Sequence, residues 1–222
     1  MPEQPSLAAA IRFSVTGLIE SLHAFLAWNL VLVLATTLVV YALTLSNLAL
    51  LLVPFLAPLA CGLGRLATVA SRGDHVALRT ALPGIRHRFW TKVGLGAAQA
   101  VLLLLAILNL FVAPAMGGLF AALSMATSVY LAGTAVAFGL IGWTLVCDPA
   151  RESVPLSRLA RLSLVVLLRH PLAALFLLVM AALTAVAVYQ LVVPSLFLPA
   201  MVVLLTARYV IPAADELPAL RS

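Results

Sequence analysis

FLAWNLVLVLATTLVVYALT, residues 25–44, and LALLLVPFLAPLACGLGRLATV, residues 48–69, decide the fold. As helices rising 1.5 Å per residue, each is long enough to cross a hydrocarbon core of about 30 Å. Only Leu45-Ser46-Asn47 separates them, and a turn that short makes the two helices antiparallel neighbours. The first run carries no charge, and the second carries only Arg65, toward its end. Continuous apolar composition, rather than amphipathic periodicity, marks both as spans.

Four more apolar runs follow, at about 93–111, 119–146, 172–193 and 195–207. The last is marginal in length, and Pro194 marks the expected turn before it. The 222 residues are 64% hydrophobic and 9% charged, against about 45–50% and 25% in soluble chains. Mean hydropathy is +1.19. Six helices of roughly 20 residues leave too little chain for a separate soluble domain. The expectation is an all-α fold, a polytopic transmembrane bundle of six spans forming one integral membrane domain over 1–222.

The net charge of +6 would suggest nucleic acid in a soluble protein; here it reads as orientation, with no nucleic-acid partner. The 13 basic residues fall in the N-terminal segment, the second-to-third and fourth-to-fifth connectors and the C-terminal end. The seven acids and four histidines share those segments. The other three connectors carry no charge. With six spans, all charge lies on one side, and the positive-inside rule makes that side cytoplasmic, with both termini inside. The opposite face has little surface for capturing a large ligand.

Leu7, Ile11, Leu18, Leu22 and Phe25 fall on one helical face, so residues 1–23 read as an interfacial helix. A free regulatory arm is the alternative. MPEQPSLAAAIRF at the start is not expected to be a signal peptide, given Glu3 and no basic region before an apolar core. In the second-to-third connector, Asp74 is expected to cap a helix that Pro83-Gly84 ends. Arg72, Arg79 and Arg86 would share a face of it, and Trp90 and Lys92 would anchor the third span at the interface. Arg158, Arg161 and Arg169 should share a face of a helix opened by Pro155. Together with Arg88, these basic residues are candidates for contact with anionic lipid at the cytoplasmic face. A collar for a membrane-protein partner or a second copy is the sharper reading. The connectors also align, Gly64 with Gly142 and Asp74 with Glu152, as in a repeat of two hairpins.

No GxSxG, HExxH, GxxxxGK[ST] or CxxC motif is present. Cys61 and Cys147 read as free buried thiols. Glu20-x-x-His23 stands alone, where a di-metal bundle needs two such motifs and two more acids. Asp148 and Glu152 read as an exposed first helical turn rather than a catalytic pair. No Asp, Glu, Lys or His falls centrally in a span, which argues against a proton-coupled pump. Arg65 and Arg208 lie near span ends, where they can snorkel. No cofactor, metal or catalytic residue is expected. Pro54 and Pro58 should kink the second span. That kink suggests a cavity lined by Asn29, Pro54, Pro58, Ser124, Thr127 and Ser128, with simple packing as the alternative.

AWNLVLVL in the first span, the stretch VPFLAPLACGLGRLATVASRGDHVALRTALPGIRHRFWTK and the later RLARLSLVVLLRHPLAAL together resemble the YesL-like family of bacterial integral membrane proteins. The sharper part runs from Pro54 to Phe89. The resemblance implies a five- or six-span bundle in the plasma (inner) membrane, often encoded near carbohydrate uptake systems, with no established catalytic residues. The functional expectation is a non-enzymatic accessory of carbohydrate uptake or of the cell envelope. A small transporter or permease subunit using the second-span cavity is the alternative.

Overall fold

The computed structural model describes residues 21–217 except 75 and 191, with residues 185, 187–190 and 192–197 as backbone alone. The amphipathic face proposed for residues 1–23 therefore lies almost wholly outside the described residues. Eight α-helices follow in order: α1 Leu22–Leu45, α2 Leu56–Ser71, α3 Ala81–Arg86, α4 Phe89–Val112, α5 Gly118–Cys147, α6 Leu156–Arg169, α7 Pro171–Gln190 and α8 Val192–Asp215. Short 3₁₀ segments join several of them, and no strand occurs among the described residues. The fold is an all-α bundle.

Among the described residues, five helical segments are long and apolar enough to cross a membrane, counting the 3₁₀ stretch before α2 and the one after α4 with those helices. A sixth crossing exists if α6 and the first part of α7, bent by 100°, are one span. Leu34, Leu38, Phe111, Phe120 and Leu172 are among many large apolar side chains exposed around the bundle. Exposed apolar surface on this scale marks a lipid-facing belt.

Three boundaries differ from the sequence reading. Residues Asn47–Phe55 form a 3₁₀ helix rather than the first half of one kinked α-helix. Pro54 lies inside it and Pro58 lies in the first turn of α2, where a missing N–H breaks no α-helical bond. The 3₁₀ rise of about 2.0 Å per residue also lengthens the segment, so that residues 47–64 cover about 31 Å. The last helix is in place by Val192, with Pro194 within it rather than in a turn before it, and α8 continues to Asp215 instead of stopping near 207. Arg208 does not end it, because its Nη2 donates to the Ala70 carbonyl at 3.4 Å. The second-to-third connector is not one helix either. α2 ends at Ser71, a 3₁₀ turn covers Leu78–Thr80, and α3 contains Pro83-Gly84 instead of ending there. Arg72, Arg79 and Arg86 thus stand on three separate elements.

α2 is the hub, packing against α1, α3, α4, α5 and α8. Its small residues allow this. A Cβ on Gly62 would lie 2.3 Å from the Trp28 ring, and one on Gly64 would lie 2.9 Å from Cys147 Sγ. The Trp28 indole Nε1 donates to the Leu59 carbonyl at 2.9 Å, which seats the ring over Gly62. One core cluster joins Phe25 and Trp28 of α1, Leu63, Leu66 and Ala70 of α2, Val76 and Ala81 of the connector, and Leu204 and Ile211 of α8. Ile141, Leu145, Leu159, Leu162, Val166 and Val210 form a second, between α5, α6 and α8.

The hub makes a paired prediction. Gly62→Ala forces a methyl against a hydrogen-bonded indole and should destabilise the bundle by about 1–3 kcal/mol. Gly94→Ala meets nothing within 4 Å. It should be neutral or stabilising by up to about 1 kcal/mol, because alanine costs less chain entropy in a helix than glycine. Unfolding in detergent followed by circular dichroism should rank the two variants on opposite sides of the parent.

Candidate functional site

One end of the bundle gathers the charge. The start of α1, the ends of α2, α5 and α8, and the starts of α4 and α7 meet there: Phe25 packs with Ile211 in one core cluster, and His170 meets Tyr209 edge-on at 5.6 Å. At its centre is Asp148, the residue after α5, whose side chain is 0% exposed. Arg72, the C-cap of α2, grips it with a fork: Nε donates to Oδ1 at 3.2 Å and Nη2 to Oδ2 at 2.7 Å. Arg151 donates to Oδ2, and the Ala150 amide donates to Oδ1 at 3.1 Å. Arg151 also pairs with Asp215 at the end of α8, and Arg72 Nη1 lies 3.6 Å from Asp215 Oδ2. Arg72, Asp148, Arg151 and Asp215 therefore close a four-membered ring of alternating sign.

A second set ties the same connectors together. Arg65 pairs with Glu152. His87 Nε2 donates to the Glu152 carbonyl at 3.3 Å, and Arg88 Nη1 donates to the Val154 carbonyl at 2.8 Å. Arg88 holds a left-handed backbone, φ 52°, at the N-cap of α4. A non-glycine residue adopts that region at a cost; the bond to Val154 keeps it there. Lys92 donates to the Gly84 carbonyl and is 1% exposed.

These pairs set the local protonation. The hydrogen bond from Arg65 lowers the Glu152 carboxyl below its ordinary value; burial opposes this, and the charges of Arg65, His87 and Lys92 assist. The hydrogen bond to Asp148 raises Arg72 above its ordinary value, against burial and with help from the charges of Asp148, Asp215 and Asp74.

Several basic residues read as lipid or partner contacts are thus otherwise engaged. Lys92 is a buried strut rather than an interfacial anchor, because α3 folds back over it and supplies a carbonyl. Arg72 belongs to the ring, and Arg88 is half-buried against the fourth-to-fifth connector. Arg65 and Arg208 bond to protein groups. Asp148 and Glu152 are not an exposed helix turn; both are counter-ions. Arg79, Arg86, Arg161 and Arg169 are exposed and Arg158 is half-exposed. These five make no ion pair among the described residues. Trp90 is exposed, as an interfacial anchor requires, and stacks edge-on with Phe89 and Phe55.

The residues proposed to line a second-span cavity are spread along the bundle. Asn29 is buried two turns from the charged start of α1. Ser124 and Ser128 lie near the opposite, uncharged end, where Asn109 Nδ2 donates to both hydroxyls at 2.8 and 2.6 Å. Thr127 is exposed and bonds its own helix at Leu123. Pro58 is buried, and Pro54 lies close to α4, where a Cβ on Gly96 would come 3.3 Å from the Pro54 carbonyl. Antiparallel register separates these residues, a fact that a list of polar positions does not carry.

A pocket of about 370 Å³ lies elsewhere, between α4, α5 and α6. Leu95, Gln99 and Leu102 line it from α4; Ala135, Phe138, Gly139 and Trp143 from α5; and Leu156, Ser157 and Ala160 from α6. Trp143 Nε1 donates to Gln99 Oε1 at 2.6 Å, and Ser163 Oγ donates to the Leu159 carbonyl at 2.8 Å. A Cβ on Gly139 would lie 2.3 Å from Gln99 Nε2, so glycine admits that amide. Gly139 and Gly142, with Gly133, give α5 the small surface that close helix packing uses.

Among the described residues no three His, Cys, Asp or Glu side chains form a group able to hold a metal ion, and both cysteines are free and buried. Comparisons with family models, with curated proteins and with solved structures find no match.

Removing Arg72 strips the fork from a fully buried carboxylate. Arg72→Ala should cost about 3 kcal/mol, the low end for a broken buried pair because Arg151 remains. Arg79→Ala, on an exposed side chain, should stay within about 0.5 kcal/mol. Thermal unfolding in one detergent compares them. Glu152 adds a pH test. A depressed carboxyl contributes stability above its unfolded value of about 4.3 and loses it as pH falls through the lower folded value. Stability carried by the Arg65 pair should therefore be flat from pH 7 to about 5 and fall below that. In Glu152→Gln this part of the acid loss should vanish.

Proposed function

We propose that the chain is a non-enzymatic multi-pass protein of the bacterial inner membrane, of the YesL-like kind, with both termini in the cytoplasm. On this reading it serves as an accessory of carbohydrate uptake or of the cell envelope. The supporting observation is the use of charge. The buried acid and its neighbours are neutralised within the protein, in a ring that fixes helix ends. The exposed arginines, in contrast, lie on the two connectors that the positive-inside rule assigns to the cytoplasm. The alternative is a small transporter or permease subunit, for which the pocket between α4, α5 and α6 offers a cavity.

Orientation and role are tested separately. Reporter fusions at Asn47, Gly117 and Ser195 should report the extracytoplasmic side, and fusions at Gly84, Arg158 and Ser222 the cytoplasm. A cytoplasmic report at Gly117 would overturn the orientation. Crosslinking in intact membranes followed by mass spectrometry should recover a component of an uptake system or of the envelope machinery. Solute flux by the purified chain alone in vesicles would replace the accessory reading with a transporter.

A further inference from the structure

The pocket between α4, α5 and α6 has a shape and an electrical setting that the accessory reading leaves unused. Its lining on α5 runs from Ala135 to Val146. At 1.5 Å per residue that is about 16 Å, close to half of a hydrocarbon core of about 30 Å. The pocket starts beside the charged end, where α6 begins, and reaches inward over the depth of one leaflet. Apart from Ser157 at the mouth, its polar side chains are bonded within the protein at Trp143–Gln99 and Ser163–Leu159, so its walls offer mainly hydrocarbon. Leu95 on one wall is exposed, as are Ala98 and Ala160, so the pocket opens sideways.

The mouth is basic. Ser157 and Ala160 of α6 line the opening, and Arg161 lies one turn beyond Ser157 on the same side of the helix. Arg158, the next residue after Ser157, lies about 100° further round the helix and off this side. α6, LSRLARLSLVVLLR, contains three arginines and no acid. The nearby acids do not cancel this charge: Glu152 is held by Arg65, and Asp148 and Asp215 are closed into the ring. The α6 face toward the bundle is sealed by Leu159, Leu162 and Val166. The helix is thereby fixed with Arg161 beside the mouth and Leu156 and Leu159 over the pocket.

We propose that this pocket is a binding site for an anionic phospholipid of the leaflet at the charged end. One acyl chain lies along α5 between α4 and α6, and the headgroup phosphate pairs with Arg161. This deepens the reading of a membrane protein with its basic face on the anionic leaflet, and it rests on that reading. It differs from general attraction to lipid in requiring one location and one headgroup charge.

The test uses the full chain in phosphatidylcholine nanodiscs doped with a phosphatidylglycerol that carries a diazirine near the end of one acyl chain. After illumination, adducts should concentrate on Leu102, Ala135 and Phe138. Unlabelled phosphatidylglycerol should compete for them at lower mole fraction than phosphatidylcholine. Arg161→Gln should weaken capture roughly fivefold, as expected for one basic contact to anionic lipid near the surface. Ala98→Phe and Ala160→Phe change exposed positions, so the fold should survive, and each should abolish the pocket adducts while leaving adducts on the lipid-facing side of α1. The proposal fails if adducts spread evenly over α1, α4 and α7, if the two headgroups compete equally, or if the arginine variant captures lipid as the parent does. Failure here with fusions still reporting a cytoplasmic charged end removes only the site. Fusions reporting the reverse orientation remove the underlying reading, whatever the adducts show.

Discussion

A fully buried carboxylate at the end of a long apolar helix dictates how this bundle is tied together. Asp148 follows Cys147, where the carbonyls of α5 already place partial negative charge. An ionised carboxylate there carries a desolvation penalty of several kcal/mol unless opposite charge and hydrogen bonds meet it. Arg72 and Arg151 supply both, and Asp215 balances the two arginines. Because these residues belong to the ends of α2, α5 and α8 and to the turn after α5, satisfying one carboxylate fixes three helix ends at one level. The Arg65–Glu152 pair and the Arg88–Val154 bond extend the tie to the start of α4.

Packing within the apolar part follows from that level. α2 can contact five other helices only because its surface is small. Gly62 admits the Trp28 ring, Gly64 the Cys147 side chain, and Gly84 of α3 approaches the Cys61 carbonyl within the reach of a Cβ at 2.9 Å. In lipid there is no hydrophobic gain from bringing two apolar helices together, so close approach and hydrogen bonds carry the association. The 3₁₀ stretch Asn47–Phe55 serves the same arrangement. Its greater rise lets the second crossing span the core while leaving the last turns of α2 beyond it, where Arg65 and Arg72 meet their partners.

The class of fold was plain in the sequence because it rests on one-dimensional facts: long apolar runs, and charge in alternate connectors. The amphipathic α6 was legible for the same reason, with Leu159 and Val166 buried and Arg161 and Arg169 exposed. What the sequence did not carry was pairing over long separations. Lys92 looked like an interfacial lysine until α3 covered it, and Asp148 looked like a solvated cap until Arg72, 76 residues away, reached it. Pro54 announced a break but not its form, since a kink, a 3₁₀ segment and a helix start all accommodate a missing donor. Register too lies outside a list of polar positions: Asn29 sits two turns from the charged start of α1, whereas Ser124 sits two turns from the uncharged start of α5.

The structure thus separates two kinds of charge that composition alone adds into a single +6. Arg65, Arg72 and Arg151, with Asp148, Glu152 and Asp215, sum to zero and are held against one another. A set of this kind contributes little field beyond a Debye length of about 8 Å. Arg79, Arg86, Arg158, Arg161 and Arg169 form the other set, exposed or half-exposed on α6 and the second-to-third connector. None of the five is in an ion pair among the described residues. The lipid contact proposed above draws on the second set, while the stability of the charged end draws on the first. Substitutions in one set can therefore leave the property carried by the other intact.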